Sequence, residues 1–289
     1  MHYTISHMLV YEYNQPVTLD THVLRLCPWT DWRQTLTSYS LQISPTPSRQ
    51  ISVADLDGRT VQHLYFSSIA LSKLQIQMQA HVETHCVNPF DFLLFKWAAA
   101  LPLDYPISLK TQLSPYLQLN GTTLTPSIDP EASSIARTLI HQTHGNVVMF
   151  LCELNQLIHS KCAYVIREVG APQLPGITWS QKSGSCRDYA MLFIEVCRSV
   201  GLAARFVSGY HEGDPDTNEF HLHAWAEVYL PGAGWRGFDP TLGLAVGDRH
   251  VGLAASPFPG SAAPISGNLQ AGSKAEATMS YQLSITSTQ

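Results

Sequence analysis

Apolar and polar residues alternate with a period of two through the first third of the chain. Tyr3, Ile5 and His7 alternate with polar neighbours before Tyr11-Glu12-Tyr13-Asn14-Gln15-Pro16. Segments near 22–28, 36–43, 60–66 and 71–84 keep the same rhythm. A half-buried strand requires it, because successive side chains point to opposite faces. Turn-forming clusters separate the segments at Asn14-Gln15-Pro16, Ser44-Pro45-Thr46-Pro47-Ser48 and Asp55-Leu56-Asp57-Gly58. Strands so spaced, with no helical stretch between them, predict an antiparallel β-sandwich of about 110 residues.

The period then changes. Leu101 to Pro106 and Thr125-Pro126-Ser127-Ile128-Asp129-Pro130 are linker candidates, and the boundary is drawn at the second. The predicted division is a β-sandwich domain over 1–127 and a second domain over 128–289. Glu131 to His144 reads as a helix with Asp129 as N-cap and Pro130 in its first turn, and Val147 to Ile166 as another with Leu151, Leu154, Leu157 and Ile158 as its core stripe. A third begins near Cys186, with Met191, Ile194 and Cys197 along one side and Gly201 as its stop. Strands are expected over Ala203 to Tyr210, Phe220 to Leu230 and Trp235 to Phe238, with a polar loop from His211 to Asn218 and a turn at Pro231-Gly232-Ala233-Gly234. One helix followed by antiparallel strands is an α+β arrangement. Ala254 to Ser273 has the Gly, Ala, Ser and Pro content of a loose connection, but Met279, Tyr281, Leu283 and Ile285 alternate cleanly, so a last strand is expected to return to the second domain.

Composition narrows the function classes. Only 13% of residues are charged and the formal net charge is -5, without a basic run or aromatic-interleaved Lys/Arg stretch, so a nucleic-acid partner is not expected. Met1 to His7 lacks the pattern of a signal peptide and no apolar run reaches membrane-spanning length; the expectation is a soluble, cytoplasmic protein without a membrane partner. The six cysteines at 27, 86, 152, 162, 186 and 197 form no paired motif, so free thiols are the default, five of them as small core residues.

Cys186 differs from the rest. Ser183-Gly184-Ser185 delivers it to a helix start, where unpaired N–H groups and the positive end of the helix dipole favour a thiolate. A thiol nucleophile needs a base and a third group to hold that base. His223 on the second strand and Asp239 at the end of the third suit those parts, because a hairpin turning near 231–234 brings 223 and 239 within a few residues of facing each other. His221-x-His223, with His211 and His250, also raises a metal site. No second ligand pair has firm spacing, and a metal on His223 would remove the base that Cys186 needs, so neither a metal nor a cofactor is expected.

Four ordered stretches carry a resemblance: Gly184-Ser185-Cys186-Arg187-Asp188-Tyr189-Ala190, Ser199 to Tyr210, His223-Ala224-Trp225-Ala226-Glu227-Val228-Tyr229, and Gly234-Trp235-Arg236-Gly237-Phe238-Asp239-Pro240-Thr241. Together they resemble the bacterial transglutaminase-like superfamily, which includes proteins described as cysteine proteases. Tyr3 to Tyr13 and Leu24-Arg25-Leu26-Cys27-Pro28 resemble the β-domain that precedes its core. The resemblance implies a papain-like core, a Cys-bearing helix packed on an antiparallel sheet, with Cys186 as nucleophile, His223 as general base and then acid, and Asp239 as orienter. It implies acyl transfer through a thioester, released by water in a peptidase or amidase or by a lysine amine in a transglutaminase, acting on a peptide or protein substrate. The hydrolase is taken first; a non-catalytic interaction module that keeps the fold is the rival reading.

Roles around the nucleophile stay open in sequence. The backbone N–H of Cys186 is expected in an oxyanion hole, with Gln181 or Trp179 as second donor unless these are loop residues packed on the core. Tyr210 and Trp225 are candidates for the cleft wall or for aromatic core packing. Arg187 and Asp188 read as first-turn residues that complement the helix dipole or form an ion pair.

Overall fold

The computed structural model describes residues 1–118, 128–167, 170–213, 222–270 and 275–288. Strands β1 (His2–Val17), β2 (Leu19–Leu24), β3 (Gln34–Ser44), β4 (Arg49–Ala54), β5 (Thr60–Tyr65) and β6 (Leu71–Thr84) come first. Helices α1 (Ile107–Gln112), α2 (Pro130–Gln142) and α3 (Val147–Lys161) follow, then the short strand β7 (Ala163–Tyr164), α4 (Pro175–Gln181), the short strand β8 (Ser183–Gly184) and α5 (Cys186–Ser199). The chain continues through β9 (Ala204–His211), β10 (Leu222–Leu230), β11 (Gly234–Asp239), β12 (Leu244–Ala245), β13 (His250–Ser256), β14 (Ile265–Leu269) and β15 (Ala277–Thr288). The fold is α+β, and none of the described helices is long and apolar enough to cross a membrane.

Two four-stranded antiparallel sheets, ordered β15-β1-β6-β3 and β14-β2-β5-β4, make the sandwich. The period of two has the predicted effect: Tyr3, Ile5, His7 and Leu9 of β1 and Leu74, Ile76, Met78 and Ala80 of β6 are all buried between the sheets. At Asn14-Gln15-Pro16 the predicted turn is instead a register irregularity inside β1, between Glu12 and Val17. A proline, having no N–H for the ladder, is accommodated at such a break.

A five-stranded antiparallel sheet, β12-β11-β10-β9-β13, forms the second layer system. Ala224, Ala226 and Val228 of β10 share one buried cluster with Ala190, Phe193 and Ile194 of α5, and the Phe193 and Phe238 rings stack with centroids 5.6 Å apart. Small residues on the strand let the helix approach closely. Asp129 caps α2 by accepting from the Glu131 and Ala132 N–H groups, as its position before Pro130 predicts. The next helix is shorter than expected, ending at Lys161, because Cys162 is extended and leads into β7.

Domain membership departs from the sequence division. The last strand forms, but it pairs with β1 (Ile5 opposite Ile285), and β14 pairs with β2, so both complete the sandwich and not the second domain. β1 would otherwise show an open row of backbone donors and acceptors along one edge, and β15 covers it. Conversely, Ala98, Leu103, Tyr105 and Leu113 belong to the helical core although they precede residue 128. The predicted boundary at 127 falls in 119–127, outside the described residues. The segment from Ala254 to Gln270, whose composition suggested a loose connection, is ordered as the end of β13, a turn at Pro259–Ala262 and β14; residues 271–274 lie outside the described residues.

Sandwich and core sheet are joined by a buried ion network. Glu227 of β10, fully buried, accepts from Arg205 of β9 at 2.7–2.8 Å and forms a close ion pair with Arg33, which also binds Asp31 at 2.9 Å. Arg205 reaches Asp57, in the β4–β5 turn, at 3.4 Å. The two guanidinium groups hold Glu227 at about 2, overcoming the upward push of burial.

Candidate functional site

The start of α5 is built by Ser185 and Asp188. Ser185 is the N-cap, and Asp188 Oδ2 accepts from both the Ser185 N–H and its hydroxyl at 2.8 Å. Asp188 Oδ1 accepts from the Gln173 N–H at 2.7 Å and from Arg167. Asp188 therefore caps the helix and forms an ion pair, matching its sequence reading. Arg187 donates to the carbonyls of Gly170 and Arg167. A Cβ on Gly184 would stand 2.9 Å from Asp188 Cβ and 3.1 Å from Thr178 Cγ2, so only glycine fits the lead-in. These contacts fix Cys186 as the first helical residue, where its N–H has no intrahelical acceptor.

His223 Nε2 meets Asp239 Oδ2 at 2.6 Å across the β10–β11 hairpin, in which Ala226 faces Phe238. His223 also interacts with the Cys186 thiol, each shifting the titration of the other. The three residues singled out in sequence are thus contiguous. Burial alone would push the Cys186 thiol up, but the hydrogen bond and charge of His223, aided by Arg187, hold it below the ordinary thiol value. Burial works against the His223 imidazolium too, yet Asp239 and Cys186 raise it to about 10. Asp239, though buried, is held well below the usual carboxylate range by His223 and His250. The arrangement favours a thiolate–imidazolium pair, while Cys27, Cys86, Cys152, Cys162 and Cys197 are all pushed up by burial.

A cavity of about 660 Å³ opens beside Cys186. Tyr164, Phe206 and Leu222 line it from the core, and Leu9, Met279 and Tyr281 from β1 and β15 of the sandwich. The segment from Pro259 to Ile265 supplies a further wall. Arg167 and Arg187 reach the cavity, and no carboxylate lines it among the described residues.

Other sequence candidates lie elsewhere. Gln181 is exposed at the end of α4, and Trp179 is half-buried against the helical core with the Lys182 ammonium 2.9 Å from its ring centroid. Neither lines the cavity. After α4 the chain turns through a left-handed Lys182 (φ 51°), and β8 then pairs with β7, which sets Tyr164 opposite Gly184 and brings its hydroxyl, not Gln181, to the Cys186 sulphur. Tyr210 is fully buried, its hydroxyl 2.9 Å from His7 Nδ1 between sandwich and core sheet. Trp225 packs with Trp29 on the other face of the core sheet, its ring edge-on to His250. Core packing thus accounts for both.

Sequence reasoning missed Tyr164 and the position of His250. Tyr164 lies in no motif, and only the parallel β7–β8 pairing could have revealed it. His250 was noted as a potential metal ligand, but its Nε2 lies 3.1 Å from Asp239 Oδ2, the oxygen that also meets His223. Donor atoms of His223, Asp239 and His250 lie within 4.8 Å of one another. Both Nε2 atoms face a carboxylate oxygen and so act as N–H donors, which leaves no lone pair there for a cation. His221 is outside the described residues.

Comparison with known proteins bears on the family and the fold. Residues 135–240 match the transglutaminase-like superfamily and residues 3–83 the bacterial transglutaminase-like N-terminal region. An uncharacterized protein of Mycobacterium tuberculosis is 27% identical over 263 residues, covering 86% of this chain and 81% of that protein. A protein-glutamine gamma-glutamyltransferase of Pseudomonas aeruginosa is 30% identical over 135 residues, which span 43% of this chain and 20% of that enzyme. The crystal structure of a putative cysteine protease from Cytophaga hutchinsonii shares the fold with a TM-score of 0.72 at 20% identity, covering 100% of this chain and 92% of that one. With its thiol at a helix start, its histidine and aspartate on the facing hairpin and its sandwich ahead of both, the chain belongs to the transglutaminase-like superfamily of cysteine-nucleophile acyl transfer and carries that superfamily's bacterial N-terminal region.

Proposed function

We propose that the protein is a peptidase or amidase that cleaves peptide amides through a Cys186 thioester. The observation that carries this reading is the continuous chain Cys186–His223–Asp239 at the edge of a cavity, with only Cys186 among the six thiols lowered. The thiolate attacks the carbonyl carbon, forming the C–S bond as the π electrons move to oxygen. The Cys186 N–H and the Tyr164 hydroxyl, which interacts with the sulphur, would receive that oxyanion. Collapse breaks the C–N bond, and the His223 imidazolium gives its proton to the leaving amine. His223 then takes a proton from water, whose oxygen attacks the thioester and frees the acid and the thiolate.

The match to the Pseudomonas glutamyltransferase favours transamidation as the second reading. Substrate preference should follow the apolar wall of Leu9, Phe206, Leu222 and Met279, toward peptides with large apolar side chains. A fluorogenic peptide library, assayed with wild type and Cys186→Ala beside incorporation of a fluorescent amine into a glutamine-containing protein, separates the readings. Cysteine-dependent peptide cleavage without amine incorporation is expected. Amine incorporation would transfer the assignment to the transglutaminase, and loss of both activities together with unselective alkylation of the six thiols would favour the non-catalytic scaffold.

A further inference from the structure

Asp239 stands at the end of β11 with every hydrogen-bonding direction used. Its Oδ1 accepts from the Thr241 N–H at 2.9 Å and the Leu242 N–H at 3.3 Å. Its Oδ2 accepts from two imidazoles, His223 at 2.6 Å and His250 at 3.1 Å. Only the first of these rings belongs to the reading above. The second comes from β13, whose register against β9 sets His250 opposite His211. His250 is buried and wedged between Trp225, ring centroids 5.3 Å apart, and His211, 4.7 Å apart.

We propose that His250 is a positioning residue of this site, a neutral imidazole whose Nε2–H holds Asp239 Oδ2 turned toward His223. The inference rests on the proposed function and adds a fourth member to its chain. Two backbone donors pin Oδ1, but Oδ2 needs a fixed donor on its far side to keep the carboxylate plane aimed at the His223 ring. A protonated His250 would compete with the His223 imidazolium for the same charge, so the device works only with His250 neutral. Its surroundings keep it so. The titratable and charged groups around it are His211 on β9, His223 on β10, Asp239 on β11 and Arg249, the residue before its own strand. Burial first, then the positive neighbours His223 and Arg249, disfavour the imidazolium more than Asp239 favours it. His211 is likewise held neutral, down to about 3, mainly by burial. Its Nδ1 accepts from the Gly213 N–H at 3.0 Å.

The test needs no substrate. Alkylation of Cys186 by iodoacetamide, followed against pH by mass spectrometry, reads how far the thiolate persists into acid. Wild type should label Cys186 selectively down to mildly acid pH. In His250→Leu the midpoint should move up, cutting the rate at pH 5.5 at least about tenfold, the effect of one pH unit. His250→Gln, which sets an amide N–H near the lost Nε2, should restore most of it. A merely structural role would lower the melting temperature of His250→Leu but leave the midpoint where it was, and that result overturns the proposal. Should His250→Leu fail to fold, ring ¹⁵N shifts of the wild type decide instead: His250 must stay the neutral Nε2–H tautomer from pH 5 to 8, and a doubly protonated or Nδ1–H ring refutes it. A wild type that labels all six thiols alike defeats the proposed function itself, whereas acid-tolerant labelling unaffected in His250→Leu defeats only the role of His250.

Discussion

Replacing Glu227 by glutamine removes one charge from the junction of sandwich and core sheet while keeping the side chain's shape. Glu227 is fully buried between Arg33 and Arg205. In the variant, Arg33 keeps Asp31 at 2.9 Å and Arg205 keeps only the longer contact to Asp57 at 3.4 Å. Breaking one side of a buried ion pair costs about 3–5 kcal/mol. The lowering of the Glu227 carboxyl from 4.5 to about 2 by the two guanidinium groups corresponds to about 3 kcal/mol. For a chain of this size about 3 kcal/mol is a fall of roughly 6–12 °C in melting temperature, read by circular dichroism at pH 7. The sign of the pH dependence follows. A carboxyl held below its unfolded value stabilises fully above about pH 4.5, and that contribution is lost as pH falls toward 2. The gap between wild type and Glu227→Gln should therefore narrow from pH 5 to pH 3. A variant that melts within about 2 °C of wild type at pH 7, or a gap that stays constant into acid, would refute the argument that the network clamps the two layers.

Asp239→Asn removes the charge that sustains the His223 imidazolium, so selective alkylation of Cys186 at pH 5 should fall at least about tenfold; an unchanged pH profile would exclude an ion pair as the source of reactivity. Tyr164→Phe deletes the hydroxyl next to the sulphur and should lower kcat by on the order of 10²-fold while leaving the acid-side alkylation of Cys186 in place, and full turnover would remove Tyr164 from the oxyanion site. Gly252→Ala sets a Cβ 2.2 Å from the Trp29 ring on a strand with no room to yield, at a cost of about 1–3 kcal/mol measurable by urea unfolding.

Local patterns in the chain were readable where short-range physics decides them. The alternation in β1 and β6, the cap at Asp129, the helix start at Cys186 and the stripe on α5 follow from periods and orphan backbone groups, and the structure has them. His223 and Asp239 were legible because one hairpin relates them. What the sequence could not display was pairing between distant segments. Nothing in Met279 to Ile285 says whether an alternating strand joins β1 or the core sheet, since both offer an apolar face. Tyr164 reaches Cys186 through two-residue strands too short to leave a pattern. His250 reads as one more polar residue until the β9–β13 register turns it toward Asp239. Trp225 and Tyr210 are ambiguous for the opposite reason: a large aromatic ring suits a cleft or a core equally well until burial is known.

The return of β15 to β1 gives one strand two duties. Met279 and Tyr281 sit on the strand that seals the sandwich edge, and they also close one side of the cavity beside Cys186. The thiol helix is synthesised before that strand, so the sulphur exists before this side of the cavity does. Clipping β15 would therefore open that side of the cavity and expose the edge of β1 in the same event.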